Sequence, residues 1–136
     1  MKSYKGILLI CLACLILGSV QNALSQENVT DSIKIIKISP KEGTVLEKGS
    51  TVTFTIILNY VLASAETGRV AVNVQDGNNH VLKTSMRDIK KGTGTEELNV
   101  KVYIPSDIDS IIIFTPLIAS GSIATTVVGV KTYPVQ

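Results

Sequence analysis

The sequence predicts an all-β protein, an antiparallel β-sandwich of seven to eight strands preceded by a signal peptide. Two observations predict the strands: short alternating runs rich in Val, Ile and Thr recur through residues 33–136, and Gly, Pro, Asn and Asp separate them. A third is the absence of any helical period of useful length. Each sheet then has one apolar face that must be covered, so two sheets are expected to pack together.

The N-terminus follows the order of a secretory signal peptide. Two lysines precede an apolar run at residues 7–17, which is shorter than the roughly 20 residues of a membrane-spanning helix. Ala23 and Ser25 are small and two residues apart, as a signal peptidase site requires, so we expect cleavage after Ser25. The predicted organisation is a signal peptide at 1–25, a flexible leader at 26–32 and a β-sandwich domain at 33–136.

Two alternatives stay open for this segment. It could be retained as an uncleaved anchor, or Cys14 could be lipidated, since Leu-Ala-Cys partly matches a bacterial lipobox. Against lipidation, Cys11 stands where that pattern has Leu, and the apolar run continues past Cys14. The predicted location is secreted, periplasmic or at the cell surface, with membrane contact only through an uncleaved signal segment.

Composition excludes several classes of function. Removing residues 1–25 removes two lysines and both cysteines, which leaves 11 basic residues, 11 acidic residues and one histidine, His80. A chain without cysteine has no disulfide framework, thiolate metal site or cysteine nucleophile. A neutral chain also lacks the broad positive surface that nucleic-acid binding needs, so no nucleic-acid partner is expected.

The first strands are read from their stops and their alternation. A run at 33–38 ends at Pro40, and a turn leads to a short piece at 44–46. A second turn precedes the clearest strand, 51–60, in which apolar residues share one face and threonines dominate the other. The residues expected to face the core are Val52, Phe54, Ile56, Leu58 and Tyr60.

The later strands follow the same pattern. Residues 69–75 place three valines inward, a polar turn occupies 76–79, and 80–86 returns from it. Residues 92–95 contain two glycines and are predicted to be a flexible connection between strands. Three further strands complete the domain, at 97–104, 110–117 and 122–132.

Residues 39–54, SPKEGTVLEKGSTVTF, resemble the opening of many bacterial immunoglobulin-like surface and secreted domains. In those domains P-x-x-G-T and a second Gly bracket the point where the first strand switches between sheets. The resemblance implies an immunoglobulin-like or fibronectin type III-like sandwich, and it carries over no ligand residues. The lack of Cys and Trp argues against the antibody-type variant.

No constellation of catalytic residues is recognisable. His80 follows a turn without an identifiable nucleophile or orienting partner, and the glycines at 92–95 do not open a helix as a phosphate cradle would. Asp107 and Asp109 are a weak start for a calcium site. We interpret them as charges that protect the aggregation-prone run at 111–114. The prediction is therefore a non-enzymatic protein without catalytic residues, cofactor or metal.

Two connections are the candidate partner-binding loops, because loops at the ends of a sandwich commonly carry recognition. One is the long, mildly apolar stretch at 61–68, and the other is the turn at 76–79. The candidate residues are Leu62, Ser64, Glu66, Thr67, Asp76, Asn78 and Asn79.

These observations predict an adhesion, matrix or accessory interaction module that binds an unknown protein or a surface glycan. The alternative is a secreted inhibitor or ligand-binding protein that uses the loops at one end of the sandwich. The oligomeric state stays open, because residues 126–131 are apolar on both faces, which suits either a buried strand or an edge that pairs with another chain.

Overall fold

The computed structural model describes residues 28–136, apart from the side chains of 127–129, and confirms the all-β class. The predicted signal peptide at 1–25 and the first two leader residues lie outside the described residues. None of the described segments is a helix long and apolar enough to cross a membrane. The strands are β1 (Ser32–Ser39), β2 (Thr51–Asp76), β3 (Val81–Tyr103), β4 (Ser110–Ala119) and β5 (Thr125–Pro134).

The antiparallel sheet is curled because its two longest strands bend together. β2 and β3 form one long hairpin whose register runs from Thr51 opposite Tyr103 to Gln75 opposite Val81. Midway, residues 63–66 of β2 lie opposite the single β3 residue Lys91. Extra residues on one strand of a pair bend that strand and increase its twist, so the sheet changes direction here.

The bend divides the sheet into two halves. Before it, β2 lies between β1 and the second part of β3. After it, β2 lies between the first part of β3 and β4, and β4 pairs with β5. We call these the first half-sheet (residues 32–39, 51–62 and 92–103) and the second half-sheet (residues 67–76, 81–90, 110–119 and 125–134).

The two half-sheets face each other across one core. Phe54 of the first and Tyr133 of the second meet edge to face, with ring centroids 5.2 Å apart. At the far end from the bend, Leu46 forms a parallel bridge with Val135, so the segment after β1 joins the second half-sheet. The predicted inward positions that prove fully or nearly fully buried are Phe54, Ile56, Leu58, Val70, Val72, Val74, Leu98, Val100, Val102 and Ile104.

Two predicted connections are strand instead. The predicted loop at 61–68 lies within β2, and the predicted flexible connection at 92–95 lies within β3. Gly94 is directly opposite Tyr60, and a Cβ added at Gly94 would lie 2.7 Å from carbon atoms of the Tyr60 ring. The glycine therefore makes room for a ring that covers the neighbouring strand, rather than for a turn.

The leader boundary also differs slightly from the prediction. β1 begins at Ser32, and Asp31 accepts hydrogen bonds from the backbone N–H groups of Ala63 and Ser64, at 2.7 and 2.9 Å. The last residues of the predicted flexible leader are thus fastened to the bend of β2.

Candidate functional site

The two predicted binding loops lie at opposite ends of the second half-sheet. Gly68 pairs with Ala119 at one end of β4, whereas Asp76 pairs with Ile111 at the other. Eight residues of extended chain separate the two ends, a distance of about 26 Å. The two candidate loops therefore do not combine into one site.

Most of the predicted residues at 61–68 are used for internal contacts. Leu62 is fully buried, so its predicted role as a surface contact is wrong: it packs in the core beside the bend. The Ser64 hydroxyl donates a hydrogen bond to Asp31. This hydrogen bond, and after it those from the backbone N–H groups of Ala63 and Ser64, hold the pKa of Asp31 below its usual range. Glu66 pairs with Lys91 at 2.9 Å across the bend. These contacts brace the bend, and binding by Ser64, Glu66 and Thr67 stays a prediction.

The predicted residues at 76–79 build a hairpin turn. Asp76 is buried and accepts hydrogen bonds from the backbone N–H groups of Asn78 and His80, at 2.8 and 2.9 Å. Its other oxygen lies 2.9 Å from Nδ1 of His80. The backbone bond from His80 is the largest cause of a lowered pKa for Asp76. Asn79 has a φ of +67°, a conformation that Asn tolerates well in turns.

These contacts give His80 a partner that sequence analysis did not identify. The signal was present in the sequence, because an Asp that opens a turn commonly accepts hydrogen bonds from the residues that follow it. The geometry explains Asp76 as the organiser of the turn, and the binding role predicted for Asp76, Asn78 and Asn79 stays a prediction.

Thr67 lies in a groove of about 570 Å³ at the bend end of the second half-sheet. Its hydroxyl is 2.9 Å from the hydroxyl of Ser120, which belongs to the turn between β4 and β5. Arg69 and Asp88 also line the groove, and their Nε and Oδ1 atoms are 2.7 Å apart. The groove is therefore lined by two hydroxyls, an ion pair and apolar residues that include Ala119.

The outer face of the first half-sheet is polar. The threonine hydroxyls of β2 and β3 donate to asparagines across the strand pair, Thr55 to Asn99 and Thr95 to Asn59, both at 2.7 Å. Charged side chains share this face at Lys34, Lys37, Glu97 and Lys101. This composition is typical of a sheet face that stays in water.

The outer face of the second half-sheet is different. Alternate residues of β4, from Ile111 to Ala119, are buried in the core. The residues between them lie on the outer side of the sheet and are all apolar: Ile112, Phe114 and Ile118 are half-buried, and Pro116 is buried. Ala71 of β2 and Met86 of β3 are opposite each other on the same face, and the alternation along β5 adds Val130. Met86 and Val130 are exposed, whereas Ala71 is buried beneath its neighbours. We call this surface the β4 face: Ala71, Met86, Ile112, Phe114, Pro116, Ile118 and Val130.

Charge is nearly absent from the length of the β4 face. The register of the described strands places Arg69 and Asp88 at its bend end, and these two side chains neutralise each other. Lys90 follows Asp88 by two residues on β3 and lies at the same end, where it lines the groove. Farther along the face the polar neighbours include Asn73 and Thr84, which are hydrogen-bonded at 2.8 Å. The β4 face leads directly into the groove, because Ile118 and Arg69 belong to both.

Sequence analysis missed the β4 face, although a signal for it existed. Residues 111–118 are apolar at nearly every position, which is the pattern of a strand whose two faces both avoid water. We interpreted the run as a hazard for aggregation flanked by protecting residues. The structure adds which positions face the core and therefore which remain outside.

The described residues lack the arrangement of side chains that a metal site requires. Within 28–136, no three side chains of His, Cys, Asp or Glu converge as metal ligands do. No protein-family model and no curated protein matches this sequence.

Proposed function

We propose that this protein is a secreted or periplasmic, non-enzymatic interaction module that binds a protein partner through the β4 face. We also propose that the curled sheet is an immunoglobulin-like sandwich of seven strands, with the bend dividing β2 and β3 into two strands each. The resemblance of residues 39–54 supports this, since the bridge between Leu46 and Val135 is where a first strand that switches sheets would pair.

The observation that carries the proposal is the contrast between the two outer faces. Both faces belong to one small domain, yet the charges of the first face are spread along its strands. On the second face they lie at the bend end, and an apolar stripe follows β4. Contiguous apolar surface of this kind on a small protein marks an interaction site. An aromatic side chain at its centre, Phe114, is the type of residue that anchors protein interfaces.

Capture from native material tests the proposal. The processed protein is immobilised, exposed to envelope and culture fractions of the organism that makes it, and the retained proteins are quantified by mass spectrometry. A Met86→Glu variant places a charge on the β4 face, and Tyr103→Glu is the matched control, since Tyr103 is equally exposed on the first half-sheet. We expect a partner that wild type and Tyr103→Glu enrich and Met86→Glu loses. Equal enrichment by Met86→Glu would contradict the proposal.

The groove favours a second candidate function, an inhibitor or ligand-binding protein. The hydroxyls of Thr67 and Ser120 and the Arg69–Asp88 ion pair converge on one concavity at the end of the domain. An inhibitor would form a discrete one-to-one complex, which light scattering measures directly. Thr67→Ala and Ser120→Ala would weaken such a complex and leave unfolding unchanged. Retained affinity in both variants would reject the groove as the site.

A further inference from the structure

We infer that the partner at the β4 face is a second copy of this chain, packed face to face as a two-fold symmetric dimer. This inference rests on the proposed function and deepens it by naming the partner. Three properties of the described residues support it: the position of the apolar stripe, the position of the charges and the size of the face.

The apolar stripe lies where a two-fold contact needs it. An isologous interface places the same patch of both subunits together, so the patch must be complementary to itself. The β4 strand occupies an interior position of the second half-sheet, with β2 on one side and β5 on the other. A two-fold axis through the middle of the face, near Phe114 and Pro116, therefore lays one stripe on the other.

The strand order and the charges select an axis that crosses the strands. An axis along β4 would exchange β2 with β5 and leave β3, with Met86, opposite no described strand of the other copy. With the crossing axis the two ends exchange places, and Arg69 faces the region of Gln75. This orientation sets neither Arg69 against Arg69 nor Asp88 against Asp88, so these like charges are not buried together.

The outer face of the first half-sheet does not meet this requirement. It carries three lysines and one glutamate, at Lys34, Lys37, Lys101 and Glu97. A second copy placed there would bury an excess of positive charge, which disfavours association. The comparison selects the β4 face for contact between copies.

The size of the face is that of a weak, reversible interface. Seven residues along β4 span about 23 Å and four strands span about 19 Å, a footprint of about 440 Å² for each copy. Two copies then bury about 900 Å² in projection, and the projecting side chains add to it. Stable interfaces begin near 1,000 Å² in total, so we expect a reversible dimer with a Kd on the order of 10 μM.

Sedimentation velocity of the processed protein, from about 1 to 300 μM, tests the inference across this Kd. We expect wild type to shift from monomer to dimer. Met86→Glu and Val130→Glu replace residues that are 57% and 58% exposed, and we expect each to raise the Kd at least about tenfold. The matched controls are Ile36→Glu and Tyr103→Glu, at positions 52% and 60% exposed away from the face, and we expect both to dimerise as wild type does.

Urea denaturation of each variant verifies that it folds, and the exposed positions were chosen so that folding is retained. A wild type that stays monomeric at 300 μM would overturn the dimer, as would a dimer that both face variants preserve. Neither result decides the proposed function, because capture of a different protein that Met86→Glu loses would sustain the interaction module without the dimer. Capture that is independent of the β4 face would refute the proposed function itself.

Discussion

Two buried hydroxyls, those of Thr115 and Tyr133, test the packing. Removing the first should raise the free energy of unfolding, and removing the second should lower it. The hydroxyl of Thr115 is buried in the core without a hydrogen-bond partner among the described residues. The hydroxyl of Tyr133 is also buried, but it donates to the carbonyl oxygen of Pro40 at 2.7 Å. Burial, with a smaller contribution from the Glu42 carboxylate, raises the pKa of Tyr133 to about 12, so the hydroxyl keeps its proton at neutral pH.

The magnitudes follow from these contacts. An unsatisfied buried polar group costs about 1–3 kcal/mol, so Thr115→Val should raise the free energy of unfolding by about 1–2 kcal/mol. A satisfied hydrogen bond contributes about 1 kcal/mol, so Tyr133→Phe should lower it by about that amount. With a urea m-value of about 2 kcal/mol/M, the two midpoints should move apart by about 1 M or more.

Equilibrium urea unfolding, followed by circular dichroism, measures both shifts against wild type. Thr115→Ser is the control, because it keeps the hydroxyl and loses only a buried methyl group, and it should be less stable than wild type. If Thr115→Val is no more stable than wild type at an unchanged m-value, the reasoning fails, since the hydroxyl would then have a partner in the folded protein.

Three further predictions concern the bend and the hairpin turn. Leu62→Ala should lower the free energy of unfolding, measured with urea, by about 2–5 kcal/mol. Thr67→Ala, at an exposed position, should change it little. Equal effects of the two substitutions would contradict the burial of Leu62 in the core. Gly68→Ala should cost about 1–3 kcal/mol in the same assay, because its Cβ would lie 2.7 Å from a backbone carbonyl of β4. Gly77→Ala, which meets only a rotatable serine hydroxyl, is the control, and a similar loss there would refute the close approach. Asp76 has a lowered pKa, so its stabilising contribution is complete above about pH 4 and is lost as the pH falls through that lowered value; Asp76→Asn should flatten the dependence of the urea midpoint on pH between 7 and 2, and an unaltered acid profile would count against this.

The core could be predicted from the sequence wherever apolar and polar residues alternate. In 51–60 and 69–75 the period of two assigns each side chain to one face, and the apolar face is the buried one. Local pattern suffices there because water on one side and core on the other divide the residues. The residues around Leu98 follow the same rule.

The bend could not be predicted, because it depends on contacts between distant residues. Gly94 reads locally as a flexible connection, yet Tyr60 lies across from it and covers it. Leu62 reads as part of a mildly apolar loop, yet the chain turns around it and leaves it in the core. Asp31 accepts hydrogen bonds from backbone N–H groups of the same bend, although its own segment shows only a polar composition in the sequence.

The β4 face could not be predicted from the sequence, because its definition depends on the strand register of the second half-sheet. In a strand such as β4, with apolar residues at almost every position, alternation does not say which side chains face the core. The register with β2, which sets Val70 opposite Leu117, decides that Ile118 and Pro116 face outward. Loops were the natural expectation from the sequence, whereas the structure directs attention to a face.

The β4 face differs in composition from the outer face of the first half-sheet. The first half-sheet shows how the same chain builds an outer face for water, with threonines such as Thr55 hydrogen-bonded to asparagines on the next strand. The same residue types at Ile112 and Ile118 would preserve strand formation, since Thr favours strands as Ile does. They would also remove an apolar surface that favours aggregation in a monomer. Ile112 and Ile118 are half-buried, so part of their apolar surface stays in water in the monomer, and the contact proposed for the β4 face would remove that part from water.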